Sequence, residues 1–152
     1  MKSTILFLAC AFAAGTAYAQ IDTVSYPEQR KQVLELLHRA GPGTEKSCGD
    51  LIAVGPKGDL SLSRKEWSAV QSKEQVVFKS VQIVPGTEIV RVYDGTAAVV
   101  NFLADVALKV DGKDLRLKVR RLEVYHKTPT GWCMVAGQGT QVDEAMFPVK
   151  TP

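Results

Sequence analysis

Residues with side chains suited to acid–base chemistry stand two apart near the end of the chain. Arg121, Glu123 and Tyr125 alternate with other residues, so they share one face if this stretch is a β-strand. Asn101 and Asp105 interrupt an earlier apolar run, and we expect them to face the same pocket. A carboxylate beside a tyrosine hydroxyl can act as a general base and a proton donor. The same spacing equally allows Arg121 to neutralise Glu123 as a simple ion pair.

Two glycines complete the set of pocket candidates. Gly137 and Gly139 lie in the last apolar run, where the missing side chains would leave room for a ligand or a large ring. A metal site has no such support, because the two histidines lie on different predicted elements and the chain has no CxxC pair. Zinc and thiol-redox sites need such clusters. We therefore predict neither a metal nor a cofactor.

The first nineteen residues have the pattern of a cleaved export signal. Lys2 supplies the positive start, residues 5–14 the apolar stretch, and Ala17-Tyr18-Ala19 the cleavage site. The apolar stretch is too short to span a bilayer. Removing 19 residues from 152 leaves 133, which is enough for one domain beginning at Gln20. We predict a periplasmic or secreted protein with no membrane span, and export argues against nucleic acid as a partner.

The order of the predicted elements indicates the α+β class. A capping box at Ser25–Glu28 opens a helix that ends before Gly41-Pro42. A second capping box at Ser63–Glu66 opens a shorter helix. Strands are predicted at residues 51–54, 59–62, 75–84, 87–93 and 96–110, followed by a hairpin at 115–141.

The alternation of apolar residues changes phase once inside the last hairpin. Leu117 and Val119 belong to one phase, and Leu122 and Val124 belong to the other. Because side chains alternate with a period of two, such a change predicts a β-bulge or a strand that changes which face is buried. The bulge or bend is expected at Arg120-Arg121.

The strand predicted at residues 96–110 has one wholly apolar face. One long and one short helix are too few to cover both faces of so long a sheet, and an uncovered apolar face normally marks an interface. The sequence therefore predicts a homodimer formed through the sheet. The residues expected at that interface are Ala98, Val100, Phe102, Ala104 and Val106.

Several short motifs together resemble those of a known family. They are the segments at residues 92–97 (VYDGTA), 122–127 (LEVYHK), 131–132 (GW) and 138–140 (QGT). Their order and spacing resemble the nuclear transport factor 2-like superfamily, in its domain-of-unknown-function 4440 branch, which is similar to the association domain of calcium/calmodulin-dependent kinase II. The resemblance covers nearly the whole mature chain. It implies a cystatin-like cone, in which a curved antiparallel sheet wraps around N-terminal helices.

The resemblance implies a fold but not one activity, because such domains include isomerases, dehydratases, polyketide cyclases and non-catalytic binding or assembly domains. The family's second helix is reduced here to residues 43–49. The positions that match the pocket arginines of the kinase association domain are Leu103, Glu123 and Gly139, so a carboxylate-binding pocket of that type is not carried over. We expect an exported non-catalytic domain that binds a small apolar ligand or assembles. The alternative is a small cofactor-free isomerase- or dehydratase-like enzyme acting on an apolar substrate.

Cys48 and Cys133 are the cysteines left after removal of the leader. An exported protein can oxidise them, and only one pairing is possible. In the cone implied by the resemblance, the strand after Cys48 and the last strand lie in neighbouring parts of the sheet. We therefore predict a Cys48–Cys133 disulfide, the alternative being two separate buried thiols.

Overall fold

The computed structural model describes residues 20–39, 46–55 and 58–143. The predicted leader and the tail beyond Asp143 lie outside the described residues, as do residues 43–45 of the shortened segment at 43–49.

The described chain forms two helices and one seven-stranded sheet, which confirms the α+β prediction. The elements are α1 (Pro27–Arg39), β1 (Ser47–Val54), β2 (Leu60–Ser61), α2 (Arg64–Lys73), β3 (Val77–Ile83), β4 (Ile89–Tyr93), β5 (Ala97–Val110), β6 (Lys113–Thr128) and β7 (Gly131–Val142). The strand order is β2-β1-β7-β6-β5-β3, and β4 also pairs with β5. The sheet is curved and does not close on itself. Neighbouring strands of the sheet are antiparallel, except that β1 and β7 run parallel to each other.

Both helices pack against the core of the sheet, α1 through Val33 and Leu37 and α2 through the partly buried Trp67. Helix α1 buries Val33 and Leu37, four residues apart, as expected for one stripe of an amphipathic helix. Helix α2 begins at the predicted N-cap, since Ser63 Oγ accepts from the Glu66 N–H at 3.1 Å. The Glu66 carboxylate accepts from the N–H of Leu62, one residue before the N-cap, at 2.8 Å. Neither helix in the described ranges has the length and apolar character to cross a membrane.

Strand β6 pairs with β5 without a bulge at Arg120-Arg121, so the bulge that the sequence predicts there is wrong. The pairing of β5 with β6 continues without a shift from Ala97↔His126 to Val110↔Lys113. The phase change has another origin: polar residues replace apolar ones on the inner face, while Leu122 and Val124 point outward. The register shift of this hairpin lies in β7, between Met134 and Ala136.

The apolar face of β5 forms the core of the molecule. Val100 and Ala104 are fully buried, Phe102 is 3% exposed, and all three belong to one cluster with Val33 and Leu37 of α1. The dimer interface predicted through this face, from Ala98 to Val106, is therefore wrong. Curvature of the sheet lets two short helices and the neighbouring strands cover the inner face within the chain. A homodimer, if formed through the sheet, has to use its outer face.

Candidate functional site

A buried carboxylate stands at the centre of the inner face. Glu123 is 1% exposed. Lys46 Nζ donates to its two oxygens at 3.0 and 2.7 Å. Arg121 donates to Oε1 from Nη2 at 2.9 Å and from Nε at 3.3 Å, and the Tyr125 hydroxyl donates to Oε2. We call these four residues the Glu123 cluster.

Strand β6 supplies three members of the Glu123 cluster, as its alternation predicts. Arg121, Glu123 and Tyr125 pair with Phe102, Val100 and Ala98 of β5, which are all on the inner face. The regular register carries the three side chains to one side of the sheet.

The sequence pattern does not identify the fourth member, Lys46. It precedes β1, seventy-seven positions from Glu123, and its carbonyl oxygen accepts from the Met134 N–H of β7 at 2.6 Å. The signal that could have found it is its closeness to Cys48, because the predicted disulfide brings this end of β1 beside β7.

The charges in the Glu123 cluster keep the carboxylate ionised. Burial raises the pKa of Glu123, but the charges of Lys46 and Arg121 and the hydrogen bonds from Lys46 and Tyr125 outweigh it, so the pKa is lowered overall. Burial lowers the pKa of Lys46, and attraction to Glu123 offsets only part of that change. We regard the pair as ionised because the Lys46–Glu123 contact is 2.7 Å and a second cation adjoins it. One carboxylate facing two cations leaves the cluster with one net positive charge.

Two aromatic rings complete the surroundings of Lys46. Its Nζ lies 6.0 Å from the ring centroids of both Phe102 and Tyr125, at the limit of a cation–π contact. Burial and the negative charge of Glu123 raise the pKa of Tyr125. The Tyr125 hydroxyl therefore stays protonated and acts as a hydrogen-bond donor.

The two glycines of β7 make room for Arg121 rather than for an open pocket. A Cβ atom at Gly139 would lie 3.1 Å from Arg121 Nη1 and 3.0 Å from Val119 Cγ1. A Cβ atom at Gly137 would lie 3.3 Å from Arg121 Nη2. Real Cβ atoms rarely have contacts this short, so the missing side chains let the guanidinium lie against β7 and reach Glu123.

Asn101 and Asp105 lie on the opposite face from the other pocket candidates. Asn101 pairs with Leu122, and Asp105 pairs with Lys118. The Asn101 side chain donates to the carbonyl oxygen of Arg121 at 2.8 Å, so it supports the backbone of β6 from outside. The structure therefore does not bring these two residues to the Glu123 cluster.

The predicted disulfide joins the two parallel strands of the sheet. Cys48 of β1 and Cys133 of β7 are bonded, with their Cα atoms 5.3 Å apart and a sequence separation of 85. The bond lies two residues beyond Lys46, so it adjoins the strand end that carries this cation.

The outer face of the sheet carries apolar residues that the chain leaves uncovered. Ile52, Ile89, Tyr93 and Leu122 are between 39% and 49% exposed. A hollow of about 330 Å³ lies on the same face. Its lining includes Ile21, Ile89, Tyr93, Val99 and Leu122, together with Arg91 and Asn101. We call this surface, including Ile52, the outer apolar face.

Within the described ranges, no group of three or more His, Cys, Asp or Glu residues has the arrangement of a metal site.

No protein-family model matches the chain. No curated protein matches it either.

Solved structures do resemble this protein. An NTF2-like protein of unknown function from Prochlorococcus sp. NATL2A has a TM-score of 0.62 at 15% identity, covering 78% of this chain and 98% of that one. A candidate calcium/calmodulin-dependent kinase II association domain from Exiguobacterium sibiricum has a TM-score of 0.53 at 16% identity, covering 76% and 86%. A candidate ketosteroid isomerase from Parabacteroides distasonis has a TM-score of 0.54 at 18% identity, covering 74% and 87%. The chain thus has the nuclear transport factor 2-like fold, which confirms the fold that the sequence motifs predicted.

Proposed function

We propose that the protein is an exported, non-catalytic assembly domain that forms a homodimer through the outer apolar face. The observation that carries this proposal is the contrast between the two faces of the sheet. The inner face is buried within the chain, whereas Ile52, Tyr93 and Leu122 of the outer face remain 45–49% exposed.

The extent of the outer apolar face supports a protein partner. A row of paired residues crosses five neighbouring strands and contains Ile52, Ala136, Val124, Val99 and Arg91. At the usual strand spacing this row spans about 19 Å. A second sheet packed face to face covers such a surface well, and twofold symmetry lets both copies bury the same residues.

The state of the Glu123 cluster supports a non-catalytic role. A general base needs a free lone pair and a pKa near the working pH. Both oxygens of Glu123 already accept hydrogen bonds from Lys46, Arg121 or Tyr125, and the pKa of Glu123 is lowered. Such a carboxylate is a weak proton acceptor, and its better-supported role is to neutralise the two partly buried cations, Lys46 and Arg121.

An isomerase- or dehydratase-like enzyme is the second candidate. Two observations favour it. Glu123 and Tyr125 form a buried carboxylate–hydroxyl pair, and a similar structure is described as a candidate ketosteroid isomerase. Turnover of a steroid- or polyketide-like substrate that Glu123→Gln abolishes would establish this function instead.

Sedimentation of the mature chain, residues 20–152, tests the homodimer. We expect a dimer at micromolar concentration and a folded monomer for Leu122→Asp, because a buried unpaired charge opposes the interface. Leu115→Asp is the matched control, since Leu115 is 44% exposed on the same strand but pairs with Leu108 and so lies on the opposite face from Leu122. A wild-type chain that sediments as a monomer would refute the proposal, as would a dimer unaffected by Leu122→Asp.

A further inference from the structure

We infer that the Cys48–Cys133 disulfide is a redox-sensitive latch that holds Lys46 over Glu123, so that its reduction opens the Glu123 cluster to water. The latch goes beyond the proposed assembly function and operates whether or not the chain dimerises.

The strand end that carries Lys46 has few other attachments to β7. The Lys46 carbonyl accepts one hydrogen bond from Met134, and Ser47 pairs with the same residue. The regular pairing of β1 with β7 then shifts and resumes only at Ile52. Within this irregular stretch, the bond from Cys48 to Cys133 is the covalent link between the strands.

Lys46 separates the Glu123 carboxylate from solvent on one side of the Glu123 cluster. Its ammonium donates to both oxygens of a carboxylate that is 1% exposed, while the Lys46 side chain itself keeps 18% exposure. A long flexible lysine gains conformational freedom when it is released to water. Glu123 would then keep Arg121 and Tyr125 as donors, and water would replace the ammonium.

The chemical step is an ordinary thiol–disulfide exchange with a small dithiol as reductant. One thiolate of the dithiol attacks a protein sulfur, the Cys48–Cys133 bond breaks, and a mixed disulfide forms. The second thiol of the reductant displaces the remaining protein sulfur, so the dithiol becomes a cyclic disulfide. The protein receives two electrons and two protons and ends with two thiols.

The latch links the Glu123 cluster to the redox state of the surroundings. In a reducing compartment Cys48 and Cys133 stay as thiols, and in an oxidising one they form the disulfide. An exported chain would therefore close the cluster after it leaves the cytoplasm.

Amine labelling followed by peptide mass analysis tests the latch. The oxidised mature chain is compared with the same chain after dithiothreitol reduction and thiol alkylation, and with the Cys48→Ser/Cys133→Ser double variant. We expect acetylation of Lys46 to become about tenfold faster or more in both disulfide-free forms, as for a local opening. Lys31, exposed on α1, is the control and should react at the same rate in all three.

Two results would overturn the latch. If Lys46 stays equally protected without the disulfide, the remaining contacts alone hold it over Glu123. If circular dichroism shows that the disulfide-free forms unfold as a whole, the bond is a global clamp rather than a local latch.

Discussion

Replacing Glu123 with glutamine tests whether the Glu123 cluster is an ion-paired unit of the fold. The substitution keeps the shape of the side chain and removes the charge that faces Lys46 and Arg121. Removing one partner of a buried ion pair costs about 3–5 kcal/mol. The lower end applies here, because the Lys46 and Arg121 side chains are 18% and 27% exposed and water can hydrate them in part. We therefore expect the free energy of unfolding to fall by about 3 kcal/mol.

Urea unfolding of the oxidised chain at neutral pH measures this loss. Lys46→Met should cost less than Glu123→Gln, because Arg121 still pairs with the carboxylate. Asp105→Asn is the matched control: it removes an exposed carboxylate on the outer side of the sheet and should change stability by no more than about 0.5 kcal/mol. A Glu123→Gln variant as stable as this control would refute the ion-paired assignment.

The pH dependence supplies a second check on Glu123. Its pKa is lowered in the folded state, so the unfolded chain takes up the proton first as the pH falls. The stabilisation from Glu123 is therefore complete above the unfolded carboxyl pKa of about 4.3 and is lost as the pH falls through the lower folded pKa. The difference between the wild type and Glu123→Gln should be full at pH 7 and shrink in strong acid. A difference that grows below pH 4 would contradict the assigned direction.

Three further predictions follow from other features of the chain. Cys48→Ser/Cys133→Ser should lower stability by up to about 4–5 kcal/mol in the chain-entropy description of so long a loop, and labelling of both cysteines in the unreduced, denatured wild type would contradict the bond. Gly139→Ala should lower the free energy of unfolding by about 1 kcal/mol, because the new methyl group would lie 3.1 Å from the Arg121 guanidinium. Gly49→Ala is the matched control, since a Cβ atom at Gly49 would have nothing within 4 Å. The intact mass of exported protein should correspond to a chain beginning at Gln20, and any longer chain would contradict the predicted cleavage.

Alternation within one strand is enough to group Arg121, Glu123 and Tyr125. It does not identify which residues of other strands lie beside them. Asn101 and Asp105 follow the same period on β5, yet they face outward because the pairing sets Phe102 opposite Arg121. A one-residue difference in register reverses every face, and the sequence of either strand alone does not contain that register. The alternation of β6 does not point to Lys46 either, because Lys46 lies on another element; only the predicted disulfide, two residues further along at Cys48, places it beside β7.

The phase change in β6 is visible in the sequence, but its cause is not a bulge. The sequence predicts that Leu122 and Val124 follow a bulge, whereas the strand pairs regularly with β5 and presents them on the outer face. The apolar face of β5 was misassigned for a different reason. Its pattern correctly indicated burial, but a sequence pattern does not say whether the chain's own helices or a second copy covers a face.

The parallel pairing of β1 with β7 has a consequence for the order in which the sheet assembles. The β5–β6–β7 hairpins join neighbours in the chain, so their contacts cost little loop-closure entropy and can form early. Strand β1 is synthesised before them but pairs with β7, the last described strand in the chain. At the disulfide, the two strands are 85 residues apart in sequence. Its docking must therefore wait until β7 is complete, which makes it a late step of folding. A chain cut short before Gly131 would leave β1 and β2 with no strand of the sheet to join.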